Sequence, residues 1–327
     1  MSGVSVLSSI SWTVHRLSPL FNFGKGNADI DDQEALDSLA RRLRDHLRGD
    51  ASREIYTGID HVGSGNDAVA KAGALKTCQW ETLPAWRLNH DASEPRSMGI
   101  LITMEYENVI YKAALVKGPN EASGIPQGTV NLPLLLIRLP NVLRQALVTF
   151  LCETFDAYCT VLHFPPAFLC HTFEGYLGDL KKADERLIEK VVKDTQFTIS
   201  FPPPIAPSLK SLQIYVPRAT IVELLNEEGA TSDSRADPSL LNGLSAYLSK
   251  HLAMHLELTT SKPNTERVTK ISCNAFVLGS EGKVKLIANL VNDDDGSTRE
   301  NEAVWKANER LLLSLVEKAM GARALEH

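Results

Sequence analysis

Residues 237–290 read DPSLLNGLSAYLSKHLAMHLELTTSKPNTERVTKISCNAFVLGSEGKVKLIANL, and a change of period inside this stretch decides the fold class. Leu240, Leu241, Leu244, Tyr247, Leu248 and Leu252 recur at three- and four-residue steps, the spacing of one helix face. Pro238 suits the first helical turn, where its missing N–H leaves no bond unmade. From Arg267 to Leu278 the period becomes two. Val268, Lys270 and Ser272 fall on one side, and Thr269, Ile271, Cys273 and Ala275 on the other, as in a strand. Gly279-Ser280-Glu281-Gly282 then predicts a tight turn into a last strand, Lys283–Leu290. Helix and hairpin in one local run point to a mixed α+β protein rather than a doubly wound parallel sheet.

The chain outside this stretch supports the same class. Ser9–Arg16 alternates as a strand. Asp31 with Glu34 reads as an acidic capping box for a helix carrying Leu36, Leu39, Ala40, Leu43 and Leu47, which Gly49 is expected to end. Glycine-rich Ser52–Ala74 predicts a loop with a short strand at its start, and Lys76–Leu88 a strand interrupted by Pro84. Gly99–Tyr106 and Val109–Val116 form the clearest hairpin. The polar connector from Gly118 to Gly128 suggests a seam between subdomains at 1–130 and 131–324. Leu132–Leu139 is a continuous apolar run, as in a strand covered on both faces. Helices are expected over Asn141–Phe155, from Pro166, and over Arg218–Glu228 and Glu302–Met320. Strands are expected from Val191 to Phe201 and over Leu212–Val216, with Pro202–Pro207 as a stiff spacer between them.

Composition narrows the function classes. With 34 basic and 40 acidic residues the net charge is −6, against a surface given over wholly to nucleic acid. No apolar run reaches the length of a membrane span, and Met1–Ile10 lacks the features of a secretory signal. Five scattered cysteines suit a reducing compartment better than a disulfide framework. Leu325-Glu326-His327 resembles the first residues of a purification tag.

Motifs that would carry chemistry are few. Phosphate loops are absent, Gly63-Ser64-Gly65 lacking the flanking strand and helix. His251 and His255 stand four apart on a helix but without the glutamate of a zinc protease motif. Cys159, His163, Cys170 and His171 have no paired-cysteine anchor. Asp293, Asp295, Gly296 and Glu302 mimic part of a calcium loop whose first position would be Val291, which cannot ligate. No nucleophile elbow occurs. The residues therefore predict no enzyme, cofactor or metal. Arg41, Arg42, Arg44 and Arg48 on the first long helix are candidates for DNA contact. Glu34, Asp37, Asp45 and Asp50 interleave with them, whereas phosphate binding favours a stripe of one sign.

Three places carry a resemblance. They are Ala246-Tyr247-Leu248 with His251–Leu256, Val268–Cys273 and Ala275–Lys285; Trp12–Asn22 near the start; and Phe155–Cys159 through Phe168-Leu169 with Glu174–Leu177. Together they resemble fungal members of the centromere protein L (CENP-L) family, subunits of the inner kinetochore. The resemblance implies a nuclear, non-enzymatic scaffold of curved, largely antiparallel sheets with packed helices. Such a scaffold would pair with a CENP-N-like subunit, or with itself, through a C-terminal strand edge. It would meet centromeric chromatin indirectly or weakly, and no membrane. On this chain the implied edge is Lys283, Val284, Lys285, Leu286, Ile287, Ala288, Asn289 and Leu290. The lysines there guard against promiscuous pairing, while the backbone remains a template for a partner strand.

Overall fold

The computed structural model describes residues 3–23, 29–57, 71–87, 97–118, 128–183, 185–202, 208–226, 239–252, 267–287 and 298–321. Two compact units emerge. Unit 1 holds 1–6, 12–162 and 315–327, and unit 2 holds 7–11 and 163–314. The strand pairings within each unit are antiparallel, so the fold is mixed α+β.

Unit 1 takes in most of α1 (Gly3–Leu7), then β1 (Ser11–Leu17), β2 (Leu20–Phe21), α2 (Gln33–Thr57), β3 (Leu75–Ala85), β4 (Ser97–Tyr106), β5 (Ile110–Val116), β6 (Thr129–Val130), β7 (Leu134–Arg138), α3 (Asn141–Phe155) and β8 (Cys159–Val161). Its sheet runs β1–β7–β5–β4–β3, with β8 also paired to β1 and β2 paired apart with β6. β7 lies between β1 and β5, and Leu134–Ile137 are all buried, which is why the sequence there is apolar without alternation. A boundary at residue 130 falls inside this unit, because β5 and β7 on either side of it are hydrogen-bonded neighbours.

One core fills unit 1. Leu36, Leu39, Leu43 and Leu47 of α2 and Leu147, Phe150 and Leu151 of α3 pack with Trp80, Ile102, Leu115 and Ile137 of the sheet. Helix α2 departs from expectation at both ends. Asp32, not Asp31, caps it, its carboxylate accepting from the N–H groups of Glu34 (3.0 Å) and Ala35 (3.3 Å). The helix also continues through Gly49 to Thr57, well into the segment expected as a loop. A glycine ends a helix by turning left-handed, and Gly49 keeps an ordinary φ, so it only weakens the helix, by about 1 kcal/mol relative to alanine.

Unit 2 contains α4 (Pro166–Ala183), α5 (Glu185–Val191), β9 (Gln196–Ser200), β10 (Ser211–Tyr215), α6 (Arg218–Asn226), α7 (Ser239–Leu252), β11 (Arg267–Ser272), β12 (Phe276–Gly279), β13 (Lys283–Leu286) and most of α8 (Thr298–Met320). The sheet order is β10–β9–β11–β12–β13. Phe173 of α4 packs edge-on against Phe197 and Phe276, and Tyr176 against Phe276, pinning the helix to the inner sheet face. The Tyr176 hydroxyl donates to Asn308 of α8 (3.1 Å), whose amide donates to the Ile287 carbonyl (3.2 Å). A buried asparagine is thereby satisfied on both sides.

Three expectations are corrected here. The strand read over Arg267–Leu278 is two strands folded back on each other, Lys270 opposite Gly279 and Ser272 opposite Val277. The turn between them is held by Cys273 N–H on the Phe276 carbonyl (2.9 Å) and by Asn274, whose N–H and side chain reach the Val191 and Lys190 carbonyls. A bulge at Thr269 slips the alternation, so Val268 and Ile271 both face inward. The strand expected from Val191 begins only at Gln196. Val191 closes α5, and Asp194, at φ 60°, turns the chain between them. Finally, β9 and β10, on either side of the segment read as a stiff spacer, pair with each other, while 203–207 lie outside the described residues.

Candidate interaction edges

An antiparallel strand sends its backbone groups alternately to its two neighbours, so register identifies which groups an edge leaves open. At one end of β10, Phe201 N–H donates to the Lys210 carbonyl (3.1 Å); at the other, Val216 N–H donates to the Thr195 carbonyl (3.1 Å). With Leu212 opposite Ile199 and Ile214 opposite Phe197, the even positions bond β9. The N–H and C=O groups of Ser211, Gln213 and Tyr215 therefore point outward, and β10 has no other neighbour among the described residues. Ile214 is buried beneath this edge, whereas Tyr215 is 67% exposed and Leu209, just before the strand, 41% exposed.

β3, the terminal strand of unit 1, is protected differently. Tyr106 N–H on the Val109 carbonyl and Lys117 N–H on the Met98 carbonyl fix the even positions of β4 toward β5. The odd positions of β3 then face β4, and Pro84 sits where an N–H would project outward unpaired. Proline there blunts the edge against stray pairing.

For the sequence-predicted edge, Lys283–Leu286 form β13 and pair with β12, while Ala288, Asn289 and Leu290 lie outside the described residues. Ile287 N–H donates to the Ala275 carbonyl (2.8 Å), which turns the polar groups of the adjacent Leu286 away from β12. The outward Leu286 carbonyl accepts from Ser9 N–H (2.6 Å), in the short N-terminal segment that unit 2 includes. A partner strand would have to displace Ser9 there. Register, which sequence alone does not supply, separates this edge from that of β10.

The four arginines of α2 do not act alike. Arg41 and Arg42 are exposed. Arg44 pairs with Asp45 (3.4 Å), and Arg48 donates to the Leu75 carbonyl (3.1 Å), tying the helix to the start of β3. Half of the cluster is thus engaged within unit 1.

The five cysteines are buried or half-buried. Burial pushes the Cys78 and Cys159 thiols up to about 12 and Cys273 to about 11, and raises Cys170 too, leaving little thiolate near neutrality. His251 is exposed and lies against Tyr247; His255 is outside the described residues. Among the described residues no three of His, Cys, Asp and Glu group to hold a metal, and no helix is long and apolar enough to cross a membrane.

His15 is the buried titratable group with the clearest consequence. It stands on β1 between Leu135 and Val161, 4% exposed, with Nδ1 lacking a partner. Burial lowers its pKa below 6.5, a backbone contact at Thr13 opposes this, and Arg144 adds to the lowering. The unfolded chain therefore takes up a proton that the folded chain refuses. Stability should be complete above about 6.5 and fall as pH drops from there toward the folded-state value. Melting temperature from pH 8 to 5 should decline less in His15→Leu than in wild type; parallel curves would refute the assignment.

Compared with protein-family models, the sequence matches centromere protein L over residues 6–320. A comparison with curated proteins finds no match. A match across almost all of the chain, on the mixed α+β fold described above, places it in the centromere protein L family, a structural family of the centromere and kinetochore.

Proposed function

We propose that this chain is a non-enzymatic subunit of the inner kinetochore, working in the nucleus, that pairs with a CENP-N-like partner, or with a second copy of itself, by strand addition to unit 2 and so supports kinetochore assembly on centromeric chromatin. The carrying observation is the outward row of backbone groups at Ser211, Gln213 and Tyr215. An added strand would gain main-chain hydrogen bonds along β10. Alternate side chains would meet Leu212 and Ile214 on one face and Gln213 and Tyr215 on the other. That pattern suits a partner strand of period two. Lys283–Leu286 is the second place to look, Leu286 being already engaged by Ser9.

Gln213→Pro removes one outward N–H and spares every β9 bond, because Gln213 faces away from β9. Light scattering and titration with the CENP-N-like partner should show association weakened at least about tenfold, the loss of roughly one to two hydrogen bonds left unmade, with the monomer still folded. Unchanged association in Gln213→Pro, with loss in Val284→Pro, would transfer the interface to β13.

A further inference from the structure

The five strands of unit 2 carry no aspartate or glutamate, yet four cations, in a chain whose net charge is −6. Register puts these cations on the outer face, opposite the one that packs on Phe173. Gly279 lies between Lys270 on one neighbour and Lys283 on the other, and Lys285 is opposite Val277. Arg267 is opposite Ser200. Val268, Ile271, Leu278, Val284 and Leu286 are buried beneath. Lys270 and Lys285 are half-buried and Arg267 and Lys283 exposed, and none of the four forms an ion pair among the described residues. Glu281, in the turn after β12, is exposed two residues before Lys283, and Glu266, immediately before Arg267, lies outside the described residues.

Geometry gives this face a shape as well as a sign. Neighbouring strands lie about 4.8 Å apart, so Lys270 and Lys283 stand about 10 Å apart across the bare backbone of Gly279. A methyl group at Gly279 would sit at ordinary contact distance, 3.6 Å, from the Cβ and carbonyl oxygen of Lys283, so the notch is floored by backbone and flanked by that lysine. Lys283 and Lys285 are spaced about 7 Å along the strand, the same repeat that an extended peptide gives to carboxylates at alternate positions. Thr198, Ser272 and Gln196 line the neighbouring strands with groups able to bond a peptide backbone. We propose that this outer face binds an extended acidic protein segment, seated along the Gly279 notch between Lys270 and Lys283, with Lys285 and Arg267 extending the contact. Nucleic acid fits less well. A notch this narrow admits one extended chain, and base stacking needs several exposed aromatics where the face offers Tyr215 alone, at its far edge.

Fluorescence anisotropy of a labelled peptide of alternating Asp and Ser, titrated with the full chain, tests this directly. Binding should weaken about tenfold in Lys270→Glu and again in Lys283→Glu, each about 1.4 kcal/mol. It should be unchanged in Arg41→Glu, at an exposed position of α2, and fall with added salt. Both lysines project from the sheet outside its core, so melting temperatures should stay at the wild-type value. No binding, equal binding in all variants, or tighter binding of duplex DNA through the same lysines would overturn the proposal.

Discussion

Gly99→Ala is expected to cost unit 1 about 3 kcal/mol or more, among the largest effects of any single-methyl change in the chain. Gly99 sits in β4 at φ +154°, a backbone state that side chains rarely adopt. A Cβ there would lie 1.9 Å from the Leu115 carbonyl oxygen and 3.0 Å from the Val116 Cα. Both are backbone atoms of β5, the strand paired with Gly99, so neither can move aside without breaking the ladder. The strand in question is interior, bordered by β3 and β5. Chemical denaturation should show a sharply lower midpoint. Gly175→Ala is the matched control: it is helical, has nothing within 4 Å of the added carbon, and should stabilise by up to about 1 kcal/mol. Equal midpoints for the two variants would contradict the strain argument.

Phe173→Ala should be nearly as damaging to unit 2, at about 3–5 kcal/mol. Phe173 is fully buried on α4, with ring centroids 6.0 Å from both Phe197 of β9 and Phe276 of β12. Removing it leaves a cavity at the point where the helix meets two separate strands, and two edge-on aromatic contacts are lost with it. Melting temperature should fall by about 10 °C for a unit of this size. Phe173→Leu, which keeps most of the volume, should recover more than half of the loss. A fall of only one or two degrees in Phe173→Ala would show that the helix is held elsewhere.

Much of this architecture was legible in the residues because burial follows simple periods. The α3 stripe of Leu143, Leu147, Phe150 and Leu151 marks Asn141–Phe155 end to end, and unbroken Leu134–Ile137 marks a strand with neighbours on both sides. Reading failed where a local signal was overridden by contacts distant in sequence. Gly49 looks like a helix end but lacks the left-handed turn that makes one. The bulge at Thr269 and the turn at Asn274, whose partners are Lys190 and Val191, convert what looks like one long strand into two. The candidate edge was hardest to read. Whether a strand's outer side is open depends on its neighbours: β10 looks unremarkable in sequence yet ends its sheet, whereas the better-patterned β13 meets Ser9 from the far end of the chain.

Site-resolved amide hydrogen exchange, on the chain alone and with its CENP-N-like partner, tests the central claim most directly. The amides of Ser211, Gln213 and Tyr215 should exchange rapidly in the free chain, those of Leu212 and Ile214 slowly, and all five slowly in the complex. Unchanged exchange at Ser211, Gln213 and Tyr215, with new protection over Lys283–Leu286 instead, would contradict it.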